Sequence, residues 1–412
     1  MSQYFDIECW FFMSNSEAFF IGCNSQSLSM RDLYCFVIAL FPPLMIFNVP
    51  ILNIGMSTAM LLLLLPYSFF SIKFEKDNIA ILGCCLLCFG YMVARTLEGS
   101  FITIVIYISV IIHLFGFHSG ILDVIKIRKI VEKTSVVLTF LVIFQIIAYY
   151  IGNIKFTYLV EELIIPDEQY MIPRFLTMNA LFRPSATFLE PAHYAQYTCV
   201  GLLSTLFPYN SKDKVNIKQA LWIALGCLLT RSGIGIILMS SILVSYVLFR
   251  NRYNSKNLIK IIGGLMGVVV LFSLLAQLQF VQDGLSRIFG DYTNGNAVWG
   301  RTVKYGEFIK PMAGINQLIG FGGNSKPPNV YMTGFMEIVY NYGYLGFGLL
   351  IVYLLLCSLK QKNIFSFLMF LLYVGLMFAA DVTGFVNVLF YTSFILQSSL
   401  RNSSNKYRVV CG

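Results

Sequence analysis

Apolar runs long enough to cross a hydrocarbon core of about 30 Å recur along almost the whole chain. Candidate spans lie near residues 32 to 48, 51 to 72, 78 to 95, 101 to 121, 135 to 152, 191 to 208, 218 to 231, 233 to 249, 258 to 277, 334 to 358, 363 to 380 and 383 to 400. In lipid, helices are the only open-ended way for such segments to satisfy their backbone polar groups. The pattern therefore predicts an all-α polytopic integral membrane protein with about twelve transmembrane helices. No internal repeat is visible.

The polar residues between the runs set a topology. Every second connection is basic: Lys73 and Lys76; Lys126, Arg128, Lys129 and Lys133; Lys212, Lys214 and Lys218; Arg250, Arg252, Lys256 and Lys260; Lys360 and Lys362; Arg401, Lys406 and Arg408. Lys and Arg mark cytoplasmic connections, so both termini are predicted to be cytoplasmic. The stretch from 218 to 249 is short for two helices, yet basic clusters on both sides must share one face, so it is predicted to be a hairpin turning at Thr230-Arg231-Ser232-Gly233. The resulting plan is a cytoplasmic segment 1–31, helices 1 to 5 over 32–152, a large outer loop 153–190, helices 6 to 9 over 191–277, a second large outer loop 278–333, helices 10 to 12 over 334–400 and a cytoplasmic tail 401–412. Long loops on a rigid scaffold are where function is concentrated.

Composition agrees with this class and narrows it. Hydrophobic residues are 57% of the chain and charged residues 12%, too little polar surface to coat a soluble globule of this size. The formal charge of +9 is spread between apolar runs and forms no basic face or tail, which argues against a nucleic-acid partner. The first thirty residues show no basic start, apolar stretch and small-residue cleavage pattern, so no cleaved signal peptide is predicted. The ten cysteines avoid the two outer loops, and Cys85-x-x-Cys88 reads as small apolar packing within a span.

Against the positive-inside trend, the outer face keeps Arg183, Arg231, Arg287 and Arg301, joined by Lys304, Lys310 and Lys326. Arginine presents a planar fork of donors that matches phosphate oxygens, so several at a membrane surface suit a phosphate or diphosphate. The alternative is contact with ordinary lipid headgroups or with loop acids such as Glu161, Glu162 and Asp167. The densest segment runs from Arg183 to Tyr197. Proline favours a first helical turn, so a helix starting near Pro191 places Glu190 at its amino end and His193 one turn inside. Glu190 is a candidate general base toward an attacking hydroxyl with His193 orienting the acceptor; equally, Glu190 is a helix-end or arginine-paired carboxylate and His193 a structural residue. Gly320 to Ser325 reads either as an anion-cradling nest or as a plain turn. His113 and His118 read as packing residues. Neither outer loop carries carboxylates and histidines at metal-ligand spacing, so no metal and no cofactor is predicted.

Three landmarks, namely Arg183 to Tyr197, Leu-Thr-Arg231-Ser-Gly, and Gly300-Arg301 followed by Gly320-x-Gly322, resemble those of Wzy-type O-antigen polymerases within the O-antigen polymerase and ligase superfamily. The resemblance covers topology across nearly the whole chain, while its motifs are short. It departs from the family's spacing of arginine, ten residues and glycine, since Tyr194 and Met312 stand at the glycine positions. It implies a membrane-embedded, inverting, metal-independent glycosyltransferase of the bacterial inner membrane, active at the periplasmic face. By motif position Arg183, Arg231 and Arg301 would bind the diphosphate of an undecaprenyl-diphosphate-linked oligosaccharide, with Arg287 assisting. Glu190 would act as base or position the hydroxyl, and Tyr194, Tyr197 and Tyr331 would stack on sugar. Besides membrane lipid, a polysaccharide chain-length regulator is the further partner the resemblance allows. The sister ligases carry a His-Asn pair ahead of the helix after the second loop, where this chain reads Pro327-Pro328-Asn329-Val-Tyr331, which favours polymerase over ligase. A flippase or secondary transporter explains the topology equally well.

Overall fold

A computed structural model of the chain describes residues 29–49, 54–96, 101–154, 164, 182–208, 215–250, 303–323, 325, 330, 332–361, 363–382 and 384–396. Helix makes up 78% of it, so the all-helical class is correct. The helices are α1 (Met30–Leu44), α2 (Met56–Phe70), α3 (Ile79–Ala94), α4 (Phe101–His118), α5 (Val124–Tyr150), α6 (Pro191–Leu206), α7 (Ile217–Leu229), α8 (Gly233–Arg250), the five-residue α9 (Ile315–Ile319), α10 (Gly334–Gln361), α11 (Ile364–Ala379) and α12 (Phe385–Ile395). A two-residue antiparallel ladder, Asn48–Val49 with Ile54–Gly55, turns the chain from α1 into α2.

Four helical segments, Lys76–Ala94, Phe101–His118, Val124–Tyr150 and Gly334–Gln361, are long and apolar enough to cross a membrane. Their outward faces carry bare apolar side chains such as Leu87, Phe101, Phe144 and Val352, and shorter helices add Leu63, Phe70 and Leu221. In water such a belt would drive aggregation, whereas in a bilayer it is simply the solvated surface. Inside, α6 is enclosed on every side by α1, α5, α7, α8 and α11 and buries all its residues except Ala192 and His193. Small residues make that close packing possible: a Cβ on Gly201 would lie 2.2 Å from Ser135, and one on Gly226 would lie 2.2 Å from the Tyr194 hydroxyl.

Among the described residues, the basic connections after α2, α4 and α10 gather at one end of the bundle. Arg31 donates to the carbonyls of Ile121 (3.1 Å) and Leu122 (3.2 Å), Lys126 pairs with Asp32, and Lys360 donates to the Asp77 carbonyl at 3.1 Å. The Asn78 amide donates to the His118 carbonyl at 3.1 Å. At the same end Arg128 donates to the Ser204 carbonyl at 2.9 Å and to that of Phe207, closing the last turn of α6, while its guanidinium lies 3.9 Å over the Phe365 ring. His113 is a packing residue, as expected: its Nε2 meets the Leu61 carbonyl at 3.0 Å and its Nδ1 the Tyr34 hydroxyl at 2.6 Å.

Three expectations change. The span drawn at 135 to 152 is the second part of α5, which starts at Val124 because Asp123 caps it by accepting from the Lys126 amide at 3.2 Å; the basic cluster is helical. The span at 334 to 358 is broken at Gly343, whose φ of 69° interrupts the helical ladder. In the last span, drawn to residue 400, the helix Phe385–Ile395 ends at Leu396, and residues 397–400 lie outside the described residues. The span at 258 to 277 lies outside the described residues.

Candidate functional site

The other end of the bundle carries the segment singled out for chemistry. Helix α5 connects the two ends: its 27 residues span roughly 40 Å at 1.5 Å per residue, with Lys126 near its start and Tyr150 at its finish. Around Tyr149 and Tyr150 the chain from 182 to 190 folds back onto α5. Phe182 stacks on Tyr149, centroids 4.3 Å apart and planes at 9°. Ile46, Ile164, Phe182 and Leu189 form a small apolar cluster beneath it.

A single side chain fixes the turn at the centre of this segment. Gln145, fully buried in α5, accepts through Oε1 from the amides of Ser185 (3.1 Å) and Ala186 (2.9 Å), and its Nε2 donates to the Ala186 carbonyl at 3.3 Å. Ser185 Oγ adds a bond to the Phe188 carbonyl at 2.7 Å. Ala186 adopts a φ of 51°, a left-handed conformation that costs a non-glycine residue about 1 kcal/mol and is offset here by the glutamine clamp. The segment consequently turns Phe182, Pro184, Ala186, Phe188 and Leu189 inward and leaves Arg183, Thr187 and Glu190 half-exposed. A lone amide in the apolar second part of α5 is the sequence signal for Gln145.

Helix α6 starts at Pro191 as expected, with Glu190 in the cap position at φ −122° and ψ 145°. The Glu190 carboxylate takes no cap hydrogen bond and, among the described residues, no part in an ion pair. It is not committed to the helix end, and it stands next to the half-exposed His193 one turn on.

The hairpin of α7 and α8 brings in the second arginine. Arg231 sits at the predicted turn with φ 54°, its amide donating to the Leu228 carbonyl at 3.0 Å. Its Nη2 donates to the Tyr150 hydroxyl at 3.2 Å, whereas Nη1 is buried and has no hydrogen-bond partner among the described residues. Arg231 lines a cleft of about 320 Å³, mouth included, together with Ile146, Tyr150, Leu229, Phe182 and Pro184. Arg183 stands between the last two of these wall residues, so guanidinium-bearing segments from two parts of the chain flank one cleft.

One expectation for this region is corrected. Tyr194 and Tyr197 are buried in helix packing, and their hydroxyls engage Thr139 (3.0 Å) and the Ala39 carbonyl (3.0 Å); Tyr194 offers no ring face to a sugar. The glycine-rich run after Ile319 is a structural latch, since its amides are already used. Phe321 and Gly322 donate to the carbonyls of Tyr340 (2.9 Å) and Asn341 (2.8 Å) at the α10 break, and Gly323 donates to that of Arg95 at 2.9 Å. Arg95 Nη2 returns a bond to the Gly320 carbonyl at 2.9 Å, and the Tyr91 hydroxyl lies 3.0 Å from the carbonyls of both Ile319 and Tyr342. Backbone groups freed by the broken helix are thereby satisfied, and those three amides hold carbonyls instead of an anion. Arg287, Arg301 and Tyr331 lie outside the described residues. Among the described residues no three His, Cys, Asp or Glu side chains form a metal-binding group.

No protein-family model matches the chain, and no curated protein matches it.

Proposed function

We propose that this protein is a glycan polymerase of the Wzy type, moving a growing glycan from undecaprenyl diphosphate to an incoming undecaprenyl-diphosphate-linked repeat unit. Its frame is twelve spans in the bacterial inner membrane with both termini cytoplasmic and two large periplasmic loops, so the cleft lined by Arg231 and by the residues on either side of Arg183 opens at the periplasmic face. The acceptor oxygen attacks the anomeric carbon of the donor glycan, the bond from that carbon to the diphosphate breaks with inversion, and the diphosphate leaves with the electron pair. The hydroxyl proton passes to Glu190.

The observation that carries this reading is the pairing of two arginine-bearing segments around one cleft with an uncommitted carboxylate on the same clamped segment. Fixed guanidinium groups supply the charge that a departing diphosphate needs, and they do so best when preorganised on a rigid frame. Arg301, with Arg287 assisting, joins them by the resemblance. The direct test is purified protein in detergent given lipid-linked repeats extracted from the producing cells. A polymerase lengthens the glycan without any membrane compartment, and unchanged product length would favour the transporter reading.

A further inference from the structure

On the other side of the clamped segment, the outer ends of α1, α6 and α12 enclose a narrow slot. Its walls include Phe188, His193, Gln196, Tyr197, Asn387 and Tyr391. With its mouth it measures about 350 Å³, but its interior admits the centre of only a water-sized group. Two amides sit deep in it. Gln196 is 6% exposed and its Nε2 is buried with no hydrogen-bond partner among the described residues. Asn387 is 8% exposed, and its Nδ2 finds only the Met45 sulfur at 3.9 Å. A buried amide donor left unmatched is costly, so a group that accepts from Gln196 is strongly favoured in the slot.

The wall chemistry selects the ligand. Among the described residues no carboxylate, lysine or arginine lines the slot, which favours a neutral polar group over a phosphate; the imidazole of His193 stands at the half-exposed rim. The two faces of the aromatic wall are locked, since Tyr197 stacks on Phe390 (5.7 Å) and Tyr391 on Tyr373 (4.5 Å), so the slot cannot swell to take a whole ring. A single neutral hydroxyl fits in size and in polarity. The geometry points to this slot as a recognition subsite for the acceptor sugar: one non-reacting hydroxyl of the lipid-linked repeat enters it, accepts from Gln196 and Asn387, and registers the repeat against the cap position of α6 that holds Glu190. The assignment rests on the glycan-transfer reading and extends it, because it separates recognition of the sugar from recognition of the diphosphate, which belongs to the arginine cleft.

The test uses full-length protein in lipid nanodiscs and two probes, undecaprenyl diphosphate alone and the lipid-linked repeat extracted from producing cells. Wild type is expected to bind the repeat more tightly than the bare lipid diphosphate. Gln196→Leu should leave the affinity for undecaprenyl diphosphate unchanged and cut the preference for the repeat about fivefold, the size of one neutral hydrogen bond. Asn387→Leu should do the same and serves where Gln196→Leu fails to fold. A preference unchanged in a folded variant overturns the subsite. So does a lowered melting temperature with the preference intact, which would mean that the slot holds a structural water only. Failure of wild type to bind undecaprenyl diphosphate at all would instead sink the polymerase reading, and the subsite with it.

Discussion

Replacing Gln145 by leucine isolates the clamp that holds Arg183 and Glu190 in place. The change removes three hydrogen bonds, to the amides of Ser185 and Ala186 and to the Ala186 carbonyl, while keeping an apolar side chain of similar length in α5. At a net ~1 kcal/mol each the bonds sum to ~3 kcal/mol. Release of the left-handed conformation at Ala186 returns ~1 kcal/mol. The segment therefore loses ~2 kcal/mol of local stability, which is roughly a thirtyfold rise in its opening equilibrium. Phe182 on Tyr149 and the packing of α5 against α6 are untouched, so global unfolding should hardly move. Hydrogen–deuterium exchange on a peptide covering residues 182 to 190 reads the opening directly, and glycan length in cells reads its consequence. Faster exchange confined to that peptide, with shortened glycan, is the expected result. Unchanged exchange would refute the clamp and leave packing alone as the support of the segment.

Two further outcomes follow from backbone conformation. Gly343→Ala puts a Cβ 2.1 Å from the Leu318 carbonyl oxygen in a conformation that only glycine adopts readily, so it should lower the melting temperature in detergent and the membrane level; a wild-type melt would contradict the latch. Arg231→Gly relieves a left-handed arginine, worth about 1 kcal/mol, at the loss of one exposed hydrogen bond to Tyr150. It should melt no lower than wild type and yet fail to make long glycan, and a full-length ladder would remove Arg231 from the site.

Much of the frame was legible because lipid imposes so simple a demand on sequence. Pro191 announced the start of α6, Thr230 to Gly233 announced the hairpin, and long apolar runs announced the four helices long enough to cross a membrane, each by a local rule. What escaped depends on residues far apart in the chain. The latch needs Gly320 to meet the Asn341 backbone and Gly343 to meet that of Leu318, and no periodicity links these distant positions. The Gln145 clamp acts on a turn 40 residues downstream, so its role is visible only once the loop is folded back. Tyr194 and Tyr197 were misread for a related reason. Their sugar-stacking role came from the resemblance alone, whereas in a membrane bundle the small and hydroxylated residues of α6 mark a helix enclosed by its neighbours. The start of α5 was missed because its first turns are charged, and apolar runs alone cannot find a helix that extends beyond the lipid.

The central claim is that the Arg183 to His193 segment carries glycan polymerisation. It is tested most directly by glycan length on a gel from cells whose only copy of the protein carries Arg183→Ala or Glu190→Gln, with the membrane level of each variant measured. Collapse of the ladder to a single repeat unit at normal protein level is the predicted result. Full ladders from both variants would contradict it.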